Sequence, residues 1–211
     1  MQITNSIPFV SILIPIRNEA AYIEACLNAV FAQEYPEDQI EILIADGRSE
    51  DRTQQIIQDF RKDHPFIQVF DNPEKIVSTG LNRLINRSKG EILIRVDGHC
   101  KIAPDYVRNC VKHLQGGHVD GVGGAMQSIG EDYVSQVIAL AMSSKFGVGD
   151  SAFRTEVGRT KLVDTVPFPA YTREIISKVG LYDEDLVRNQ DDEYNYRIRK
   201  AGGKILLASD I

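Results

Sequence analysis

The sequence predicts an α/β fold in which helices cover both faces of a mostly parallel, twisted sheet. Three observations support this class. Short apolar runs rich in β-branched residues alternate with segments whose apolar residues recur at helical spacing. The runs are apolar at almost every position, as expected for parallel strands buried on both faces. The 211 residues suffice for one domain with a sizeable core, and no linker or internal repeat divides them.

The first half of the chain shows this alternation most clearly. A strand is predicted over residues 9–14, where Pro15 ends it, and Asn18 is the expected N-cap of the helix that follows. The elements predicted after it are a strand over 40–45, a helix capped by Ser49 with Ile56, Ile57 and Phe60 inward, a strand over 66–70, a helix over 74–88 with Ile76, Leu84 and Ile85 inward, a strand over 92–96, and a helix that Pro104 begins, with Val107, Cys110, Val111 and Leu114 inward.

The second half of the chain is less regular. A Gly-rich stretch contains one strand predicted over 119–126, and a helix is expected over 134–144. Residues 146–168 show no clear periodicity, which is typical of a functional loop. The remaining predicted elements are a short helix over 173–179 that Gly180 ends, a helix that opens near Asn189 and closes at Gly202-Gly203, and a last strand over 204–208.

Composition excludes several classes of protein. A net charge of −6 argues against a nucleic-acid binder, because such proteins normally present a basic face. No apolar run approaches the ~20 residues that span a bilayer. The first nine residues lack the basic and apolar regions of a signal peptide. We therefore expect a soluble domain.

The cysteines indicate a reducing compartment. Cys26, Cys100 and Cys110 are odd in number and show no CxxC spacing, so they do not suggest a disulfide framework. Cys26 and Cys110 fall on the apolar faces of predicted helices. We expect buried free thiols and a cytosolic setting.

Polar side chains gather where the predicted strands end. Strand one is followed by Pro15 to Glu19, strand two by Asp46 to Asp51, and strand four by Asp97-Gly98-His99. Ligands of open α/β sheets bind at this carboxyl edge. Neither GxGxxG nor GxxxxGK[ST] is present, which argues against a dinucleotide dehydrogenase and a P-loop ATPase.

Two of the polar clusters carry groups suited to catalysis. Asp97 and His99 offer an oxygen and an imidazole two residues apart, suited to a divalent cation. Asp191-Asp192-Glu193, at the start of a predicted helix, offers a carboxylate that could act as a base. Taken singly, each cluster is equally compatible with a turn, a helix cap or the helix dipole. Their shared position at one edge of the sheet favours a single pocket and transfer chemistry on a nucleotide-activated substrate.

With these motifs in this order, the chain resembles the family 2 glycosyltransferases. These are inverting enzymes with the A-type glycosyltransferase fold, a Rossmann-like architecture, and they use nucleotide-diphosphate sugars. The segments that match in order and spacing are 10–19, 46–53, 90–97 and 190–202. The resemblance covers nearly the whole chain and implies a single catalytic domain over 1–211, with a nucleotide-binding half over 1–115 and an acceptor or catalytic half over 116–211.

Within this family the chain is most similar to the subgroup of succinoglycan-type exopolysaccharide transferases. The resemblance therefore implies transfer of a hexose to a glycan or a polyprenyl-diphosphate-linked acceptor in polysaccharide biosynthesis. The segments that carry it are Arg95 to Cys100, Val122-Gly123-Gly124, Gly147 to Asp150, Val163 to Phe168 and Arg188 to Glu193.

The resemblance also implies roles on the nucleotide side. Asp46 would accept a hydrogen bond from the imide N–H of a uracil-like base, which favours a UDP-sugar. Asn82 matches a nucleotide-side asparagine, although Leu81 replaces the arginine that usually precedes it. Pro15 to Glu19 would line the nucleoside, and the full set of residues implied to bind the nucleotide-sugar is Pro15, Arg17, Asn18, Glu19, Asp46, Asn82 and Asp97.

On the reacting side, Asp97 and His99 match an Asp-x-Asp metal motif in which His replaces the second Asp. Carboxylate and imidazole together suit Mn²⁺ somewhat better than Mg²⁺. Asp191 matches the catalytic base. Gln190 stands where many relatives carry Glu, so Asp191 would act alone.

Relatives usually continue past the last strand into an acceptor-side segment and then membrane helices. Since this sequence stops at Ile211, the resemblance implies a chain truncated at its C-terminus. We expect the domain in the cytoplasm, or at the cytoplasmic face of the inner membrane through the missing segments.

Other interpretations stay open on the sequence alone. A nucleotide-sugar-binding domain without catalysis would share most of these features. A nucleotidyltransferase would normally carry a Gly-rich, basic loop after strand one, which Arg17-Asn18-Glu19 does not supply. A receiver domain built around Asp46 would need only about half this length, and it leaves the Asp191 segment unexplained.

Overall fold

The structure, a computed structural model, describes residues 6–129, 133, 136–137, 141, 153 and 158–211. Within them one eight-stranded sheet organises the fold. The strands are β1 (Val10–Ile16), β2 (Ile40–Asp46), β3 (Gln68–Asp71), β4 (Ile92–Arg95), β5 (Gly121–Gly123), β6 (Lys161–Leu162), β7 (Ala170–Thr172) and β8 (Ile205–Leu207). The helices described in full are α1 (Ile23–Phe31), α2 (Thr53–Asp63), α3 (Val77–Arg87), α4 (Tyr106–Gln115), α5 (Arg173–Val179) and α6 (Gln190–Lys200), and a 3₁₀ turn covers Glu37–Gln39.

The strand order is β3-β2-β1-β4-β7-β5-β8-β6. β1 pairs in parallel with both β2 and β4, while β7 is antiparallel to β4 and β5, and β6 is antiparallel to β8. The chain leaves β1 toward β2 and β3, then returns to β1 on its other side with β4. That reversal creates a switch point between β1 and β4, where open α/β sheets bind their ligands.

Two apolar clusters cover the two faces of the sheet. β1 contributes Ile12 and Ile14 to one cluster and Leu13 to the other, as strand alternation requires. The first cluster also takes its members from α1, α2 and α4, and the second from α3, α5 and α6. The predicted class, a mostly parallel sheet flanked by helices, is therefore confirmed.

β1 runs two residues further than predicted and includes Pro15. Leu13 O accepts from Val96 N on the β4 side, while Ile16 O accepts from Gly47 N on the β2 side. Because strand residues alternate in direction, the nitrogen of Pro15 lies toward β4, where pairing has already ended at Leu13. A proline is tolerated there because the sheet has no acceptor waiting for an N–H.

Both predicted N-caps are wrong. The N-cap of α1 is Tyr22, four residues after the expected cap Asn18. α2 begins after Arg52, and Ser49 does not cap it. Asn18 and Ser49 instead bond to each other's loops, as described below.

In the second half of the chain the strands differ from the prediction, and part of the predicted structure lies outside the described residues. The antiparallel strands β6 and β7 were not predicted, because runs of two or three residues carry no measurable periodicity. The strand expected over 119–126 is confined to β5. Most of the helix expected over 134–144, the Gly147 to Asp150 motif and part of the 146–168 segment lie outside the described residues.

The three cysteines are free, and Cys26 and Cys110 are buried as predicted. Burial raises the pKa of the Cys26 thiol to about 12, which suits a packing role. In the part of the chain that the structure describes, no helix combines the length and the apolar character needed to cross a membrane.

A buried polar contact fastens the turn between α3 and β4 to the strands β1 and β2. Glu41 accepts from Ser11 Oγ at 2.6 Å and from Lys89 N at 2.5 Å, and Ser11 Oγ accepts from Gly90 N at 2.8 Å. A Cβ on Gly90 would lie 2.5 Å from Ser11 N and 2.8 Å from the carbonyl oxygen of Ile92. Both atoms are backbone, so glycine is required for this close approach.

Replacing Gly90→Ala is expected to lower the free energy of unfolding by about 1–3 kcal/mol, since an added methyl must displace backbone. Thermal denaturation followed by circular dichroism should show a melting temperature lower by about 2–4 °C for each kcal/mol. Lys89→Ala is the matched control, because its side chain is exposed and its backbone N–H is kept. Equal melting of the two variants would contradict the close approach.

Candidate active site

Three loops meet at the carboxyl edge of the sheet beside the switch point. They are the loop after β1 (17–22), the loop after β2 (47–52) and the loop after β4 (96–105). Helix α6 brings its first turn to the same edge, because Arg95 at the end of β4 contacts Asp191. The polar clusters predicted from the sequence are thus brought together.

The first two loops are tied by reciprocal hydrogen bonds. Asn18 N donates to Ser49 Oγ at 2.9 Å, and Asn18 Oδ1 accepts from Glu50 N at 2.8 Å. Glu19 N donates to Thr53 Oγ1 at 2.8 Å. Asn18 has a φ of 57°, a left-handed conformation that asparagine tolerates better than most residues. The role of Asn18 is therefore to brace the β1 loop against the β2 loop.

Asp46 is held rigidly at the end of β2. It is buried, and Oδ1 accepts from Ser49 N at 3.0 Å and Ser49 Oγ at 2.6 Å, while Oδ2 accepts from Gln54 Nε2 at 2.6 Å. Because Oδ1 already accepts two hydrogen bonds and Oδ2 only one, Oδ2 can accept one more. Contact with a uracil-like base stays a prediction.

Pro15 and Arg17 occupy the end of β1 and the start of its loop. Pro15 is buried in the sheet, whereas Arg17 is exposed. A Cβ on Gly47 would lie 3.2 Å from the Cβ of Arg17, so the two strand ends approach each other where Gly47 has no side chain. The side chain of Arg17 is available to a ligand at this edge. Pro15 contributes only as part of the strand that leads into the loop.

Asn82 serves the fold in a way that the sequence did not indicate. It is buried in α3, where Nδ2 donates to Tyr182 O at 2.8 Å and to Glu184 Oε1 at 2.9 Å. Its Oδ1 accepts from Tyr182 N at 2.8 Å. Both amide protons are thus used within the chain. Asn82 fastens the loop that precedes α6, and its predicted contact with a nucleotide stays a prediction.

A buried guanidinium joins the two carboxylates that matter most for chemistry. Arg95 donates from Nε and Nη2 to the two oxygens of Asp97, at 2.7 and 3.0 Å. Its Nη1 donates to Asp191 Oδ1. The side chain of Arg95 is 7 % exposed, that of Asp97 17 % and that of Asp191 31 %. Asp97 and Asp191 therefore lie on opposite sides of one cation, with Asp191 the more open to solvent.

Burial and charge act in opposite directions on Asp191. Burial raises the pKa of its carboxyl above the ordinary value, the Arg95 charge lowers it, and the charges of Asp97 and Asp192 raise it again. The net direction is upward. A carboxylate whose pKa is raised toward neutrality is a stronger base than an exposed aspartate.

His99 lies beside the β1 loop. Its Nδ1 is 2.9 Å from Glu19 Oε1, and the hydrogen bond to this carboxylate raises the pKa of the imidazole. A Cβ on Gly98 would lie 2.8 Å from Ile16 Cγ2 and 2.9 Å from Glu19 Cγ, so glycine lets the β4 loop sit against the β1 loop. The structure brings Glu19, Asp97 and His99 into one corner of the site.

The two predicted metal ligands, Asp97 and His99, offer suitable donor atoms but only part of a ligand set. Among the described residues, no cluster of three or more His, Cys, Asp or Glu side chains is arranged to hold a metal ion. Asp97 and His99 still offer a carboxylate and an imidazole, the donor types that suit Mn²⁺. With a proton on Nδ1 held by Glu19, the Nε2 of His99 stays available as a ligand, a common arrangement around metal-binding histidines.

Sequence reasoning missed the role of Arg95. The signal was present, because Arg95 is the charged residue in the apolar run Ile92-Leu93-Ile94-Arg95-Val96. A charge in a buried strand needs a partner of opposite sign. Periodicity could not name that partner, since Asp191 is 96 residues further along the chain.

Comparison with known proteins gives the following similarities. A family model described as "Glycosyl transferase family 2" matches residues 11–180. The succinoglycan biosynthesis protein ExoA of Rhizobium meliloti is 34 % identical over 93 % of this chain and 59 % of its own length. A dolichyl N-acetyl-alpha-D-glucosaminyl phosphate 3-beta-D-2,3-diacetamido-2,3-dideoxy-beta-D-glucuronosyltransferase of Methanococcus voltae is 30 % identical over 96 % of this chain and 65 % of its own length. The chain thus spans less than two thirds of these relatives.

Two solved structures share the fold at lower identity. The mannosyltransferase PcManGT of Pyrobaculum calidifontis, in complex with GDP-Man and Mn²⁺, superposes with a TM-score of 0.75 at 22 % identity, over 98 % of this chain and 56 % of that one. TarS 1-349 of S. aureus, in complex with UDP, superposes with a TM-score of 0.71 at 17 % identity, over 96 % of this chain and 58 % of that one.

The part played by Asn82 can be tested by removing its amide. Asn82→Ala leaves the buried N–H and C=O of Tyr182 without partners, at about 1–3 kcal/mol for each group. We expect the melting temperature to fall by at least about 4 °C. Asn86→Ala, an exposed asparagine one turn later on the same helix, is the control. Wild-type melting of Asn82→Ala would contradict the fastening role.

Proposed function

The chain belongs to glycosyltransferase family 2 and has the A-type glycosyltransferase fold, and on that premise we propose that it transfers a hexosyl unit from a nucleotide-diphosphate sugar to an acceptor hydroxyl, with inversion at the anomeric carbon. The family and the fold predicted from the sequence are thereby confirmed. The observation that carries the proposal is the Arg95 bridge, which sets Asp191 and Asp97 on either side of one buried cation at the switch point.

On the donor side, the nucleoside is proposed to lie along the loops after β1 and β2. Asp46 supports this because its carboxylate is fixed by three in-chain donors yet can accept one more hydrogen bond. An imide N–H of a uracil base fits that remaining acceptor, which favours a UDP-sugar. Arg17 is exposed at the same edge and offers positive charge to the diphosphate.

Asp97 and His99 are proposed to hold a divalent cation, Mn²⁺ or Mg²⁺. Sites of this kind usually use one or two side chains together with substrate phosphates and water, so two protein ligands suffice. When bound there, the cation would stabilise the negative charge that develops on the leaving diphosphate, as a Lewis acid.

The proposed base is Asp191. Its Oδ2 takes the proton from the acceptor hydroxyl as the acceptor oxygen forms its bond to the anomeric carbon. The bond from that carbon to the diphosphate oxygen breaks in line, and the nucleoside diphosphate leaves with the electron pair. A single displacement needs no covalent intermediate and no second carboxylate, which agrees with Gln190 standing beside Asp191.

The acceptor is proposed to be a glycan or a polyprenyl-linked sugar in polysaccharide biosynthesis. The relatives named for succinoglycan biosynthesis and for a dolichyl-phosphate-linked acceptor support this class. We propose that the protein acts in the cytoplasm or at the cytoplasmic face of the inner membrane.

Replacing Asp191→Asn tests the base. The change keeps the size and one hydrogen-bond acceptor but cannot take a proton, so turnover should fall at least ~100-fold. Binding of UDP or GDP, measured by isothermal titration calorimetry, should stay within about threefold of wild type. Asp192→Asn is the matched control on the same helical turn. Retained turnover in Asp191→Asn would remove it as the base, and wild-type nucleotide binding without any transfer would identify a non-catalytic binding domain.

Replacing Asp97→Ala tests the cation site. Thermal shift with UDP should increase when Mn²⁺ is added to the wild-type protein, because a ligand that binds only the folded state stabilises it. The added increment should vanish in Asp97→Ala, while Asp59→Ala, an exposed aspartate on α2, should keep it. An unchanged Mn²⁺ increment in Asp97→Ala would refute the assignment.

A further inference from the structure

Arg95 is a buried charge in a strand that otherwise builds the core. The three residues before it, Ile92, Leu93 and Ile94, are at most 4 % exposed, and Arg95 itself is 7 % exposed. Burying a guanidinium is unfavourable unless carboxylates compensate it. The sheet itself does not require a charge at this position, since its neighbours pack as apolar side chains. The arginine is therefore explained by what it contacts at the carboxyl edge.

The contacts of Arg95 divide its donors between two carboxylates. Nε and Nη2 form a fork on Asp97, and Nη1 takes Oδ1 of Asp191. Among the described residues no donor reaches Oδ2 of Asp191, whose side chain is 31 % exposed. One oxygen of the carboxylate is thus fixed by the guanidinium, and the other keeps its capacity to accept a hydrogen bond.

We propose that Arg95 is a positioning residue for the transfer reaction: its guanidinium anchors Oδ1 of Asp191 and orients the carboxylate, so that Oδ2 is presented to the acceptor hydroxyl. The inference rests on the proposed function, because it assigns to Arg95 an action through the base. It follows the general pattern in which a catalytic base is oriented by a third group that does not touch the substrate.

The positive charge of Arg95 matters because the other charged groups around the Asp191 carboxyl are negative. Among the residues that the structure describes, the charged and titratable groups that face this carboxyl are Arg95 and Asp97 from the end of β4, Asp192 from its own helix, and the buried phenols Tyr171 and Tyr182. Of these, Arg95 alone carries positive charge. Burial, Asp97 and Asp192 all raise the pKa of Asp191, and Arg95 opposes them. Without the guanidinium the carboxyl would shift toward its protonated form, which cannot accept a proton.

A lysine could supply charge but not this geometry. The rigid fork of arginine holds both oxygens of Asp97, which fixes the plane of the guanidinium and hence the direction of the third N–H. Charge and direction are therefore separable by substitution. Arg95→Gln removes the charge and keeps a donor, whereas Arg95→Lys keeps the charge and removes the fork.

The experiment measures steady-state kinetics of sugar transfer for the wild type, Arg95→Gln, Arg95→Lys, Asp191→Asn and the double variant Arg95→Gln/Asp191→Asn. For Arg95→Gln, kcat should fall at least ~10-fold with the KM for the donor within about threefold. Its pH–rate profile should lose activity at a pH higher by ~1 unit. Arg95→Lys should also lose kcat but restore the acid limb to within ~0.5 unit. Arg83→Gln is the matched control, since Arg83 pairs with a carboxylate at the surface of α3, where its Nη2 donates to both oxygens of Glu74, and it should match the wild type.

The double variant separates positioning from a structural role. If Arg95 acts through Asp191, removing the guanidinium from a protein that already lacks the base should change the residual rate by less than about threefold. Wild-type kcat in Arg95→Gln and Arg95→Lys, or a full ~10-fold loss that persists in the Asp191→Asn background, overturns the proposal. Should Arg95→Gln melt below the assay temperature, Arg95→Lys decides alone, with lowered kcat in support and wild-type kcat against.

A second readout does not need turnover. Carbon-13 NMR of the aspartate carboxyls, with Asp191 assigned by its absence in Asp191→Asn, should show the titration of Asp191 at higher pH in Arg95→Gln than in the wild type, and an unmoved titration overturns the proposal.

Failure of the proposed function has a different signature: Asp191→Asn then retains turnover, or the wild type transfers no sugar. Failure of the positioning role alone leaves Asp191→Asn inactive and the Arg95 variants active.

Discussion

The contact on which the site depends is the pairing of one buried guanidinium with two carboxylates that come from distant parts of the chain. Asp97 follows β4 by two residues, and Asp191 opens α6, so Arg95 fastens the first half of the chain to the second. Neither carboxylate would be placed in a partly buried cleft at low cost without that cation. The same contact sets the electrostatics of the site, because it divides one positive charge between a proposed cation ligand and a proposed base.

Around this bridge, several polar residues hold neighbouring loops together. Asn18 and Glu50 exchange a hydrogen bond across the first two loops, and Glu19 bonds Thr53 through its backbone while its carboxylate reaches His99. The β1 loop is therefore connected to both neighbouring loops. A donor entering this edge would meet preorganised groups, which reduces the ordering that binding requires. The fold and the proposed donor site thus share the same hydrogen bonds.

What the sequence could predict follows from where its signals are local. Apolar runs and helical spacing identified β1 to β4 and α1 to α4, and polar residues after each strand indicated the edge at which a site forms. Caps were mistaken at Asn18 and Ser49, because a side chain that can cap a helix can equally bond an adjacent loop. The short antiparallel strand β7 left no periodic trace. Asp191, the distant partner of Arg95, and Tyr182, the partner of Asn82, each lie about a hundred residues away, and no local pattern encodes these pairs.

The position of Asp191 is fixed by contacts on both sides of α6. These contacts explain how a partly exposed first turn can hold the proposed base in a defined position. On one side, Asn82 holds the backbone of Tyr182, whose ring stacks on Tyr194 of α6 with centroids 4.0 Å apart. On the other, Asn195 donates to Thr165 Oγ1 at 2.8 Å and accepts from the Tyr171 hydroxyl. Tyr171 belongs to β7, which pairs directly with β4, the strand that ends at Arg95. Helix α6 and Arg95 are therefore positioned by the same pair of strands. The distance between guanidinium and base is thereby set by the sheet, since a shift of α6 would have to break the aromatic stack and the buried amide contacts together.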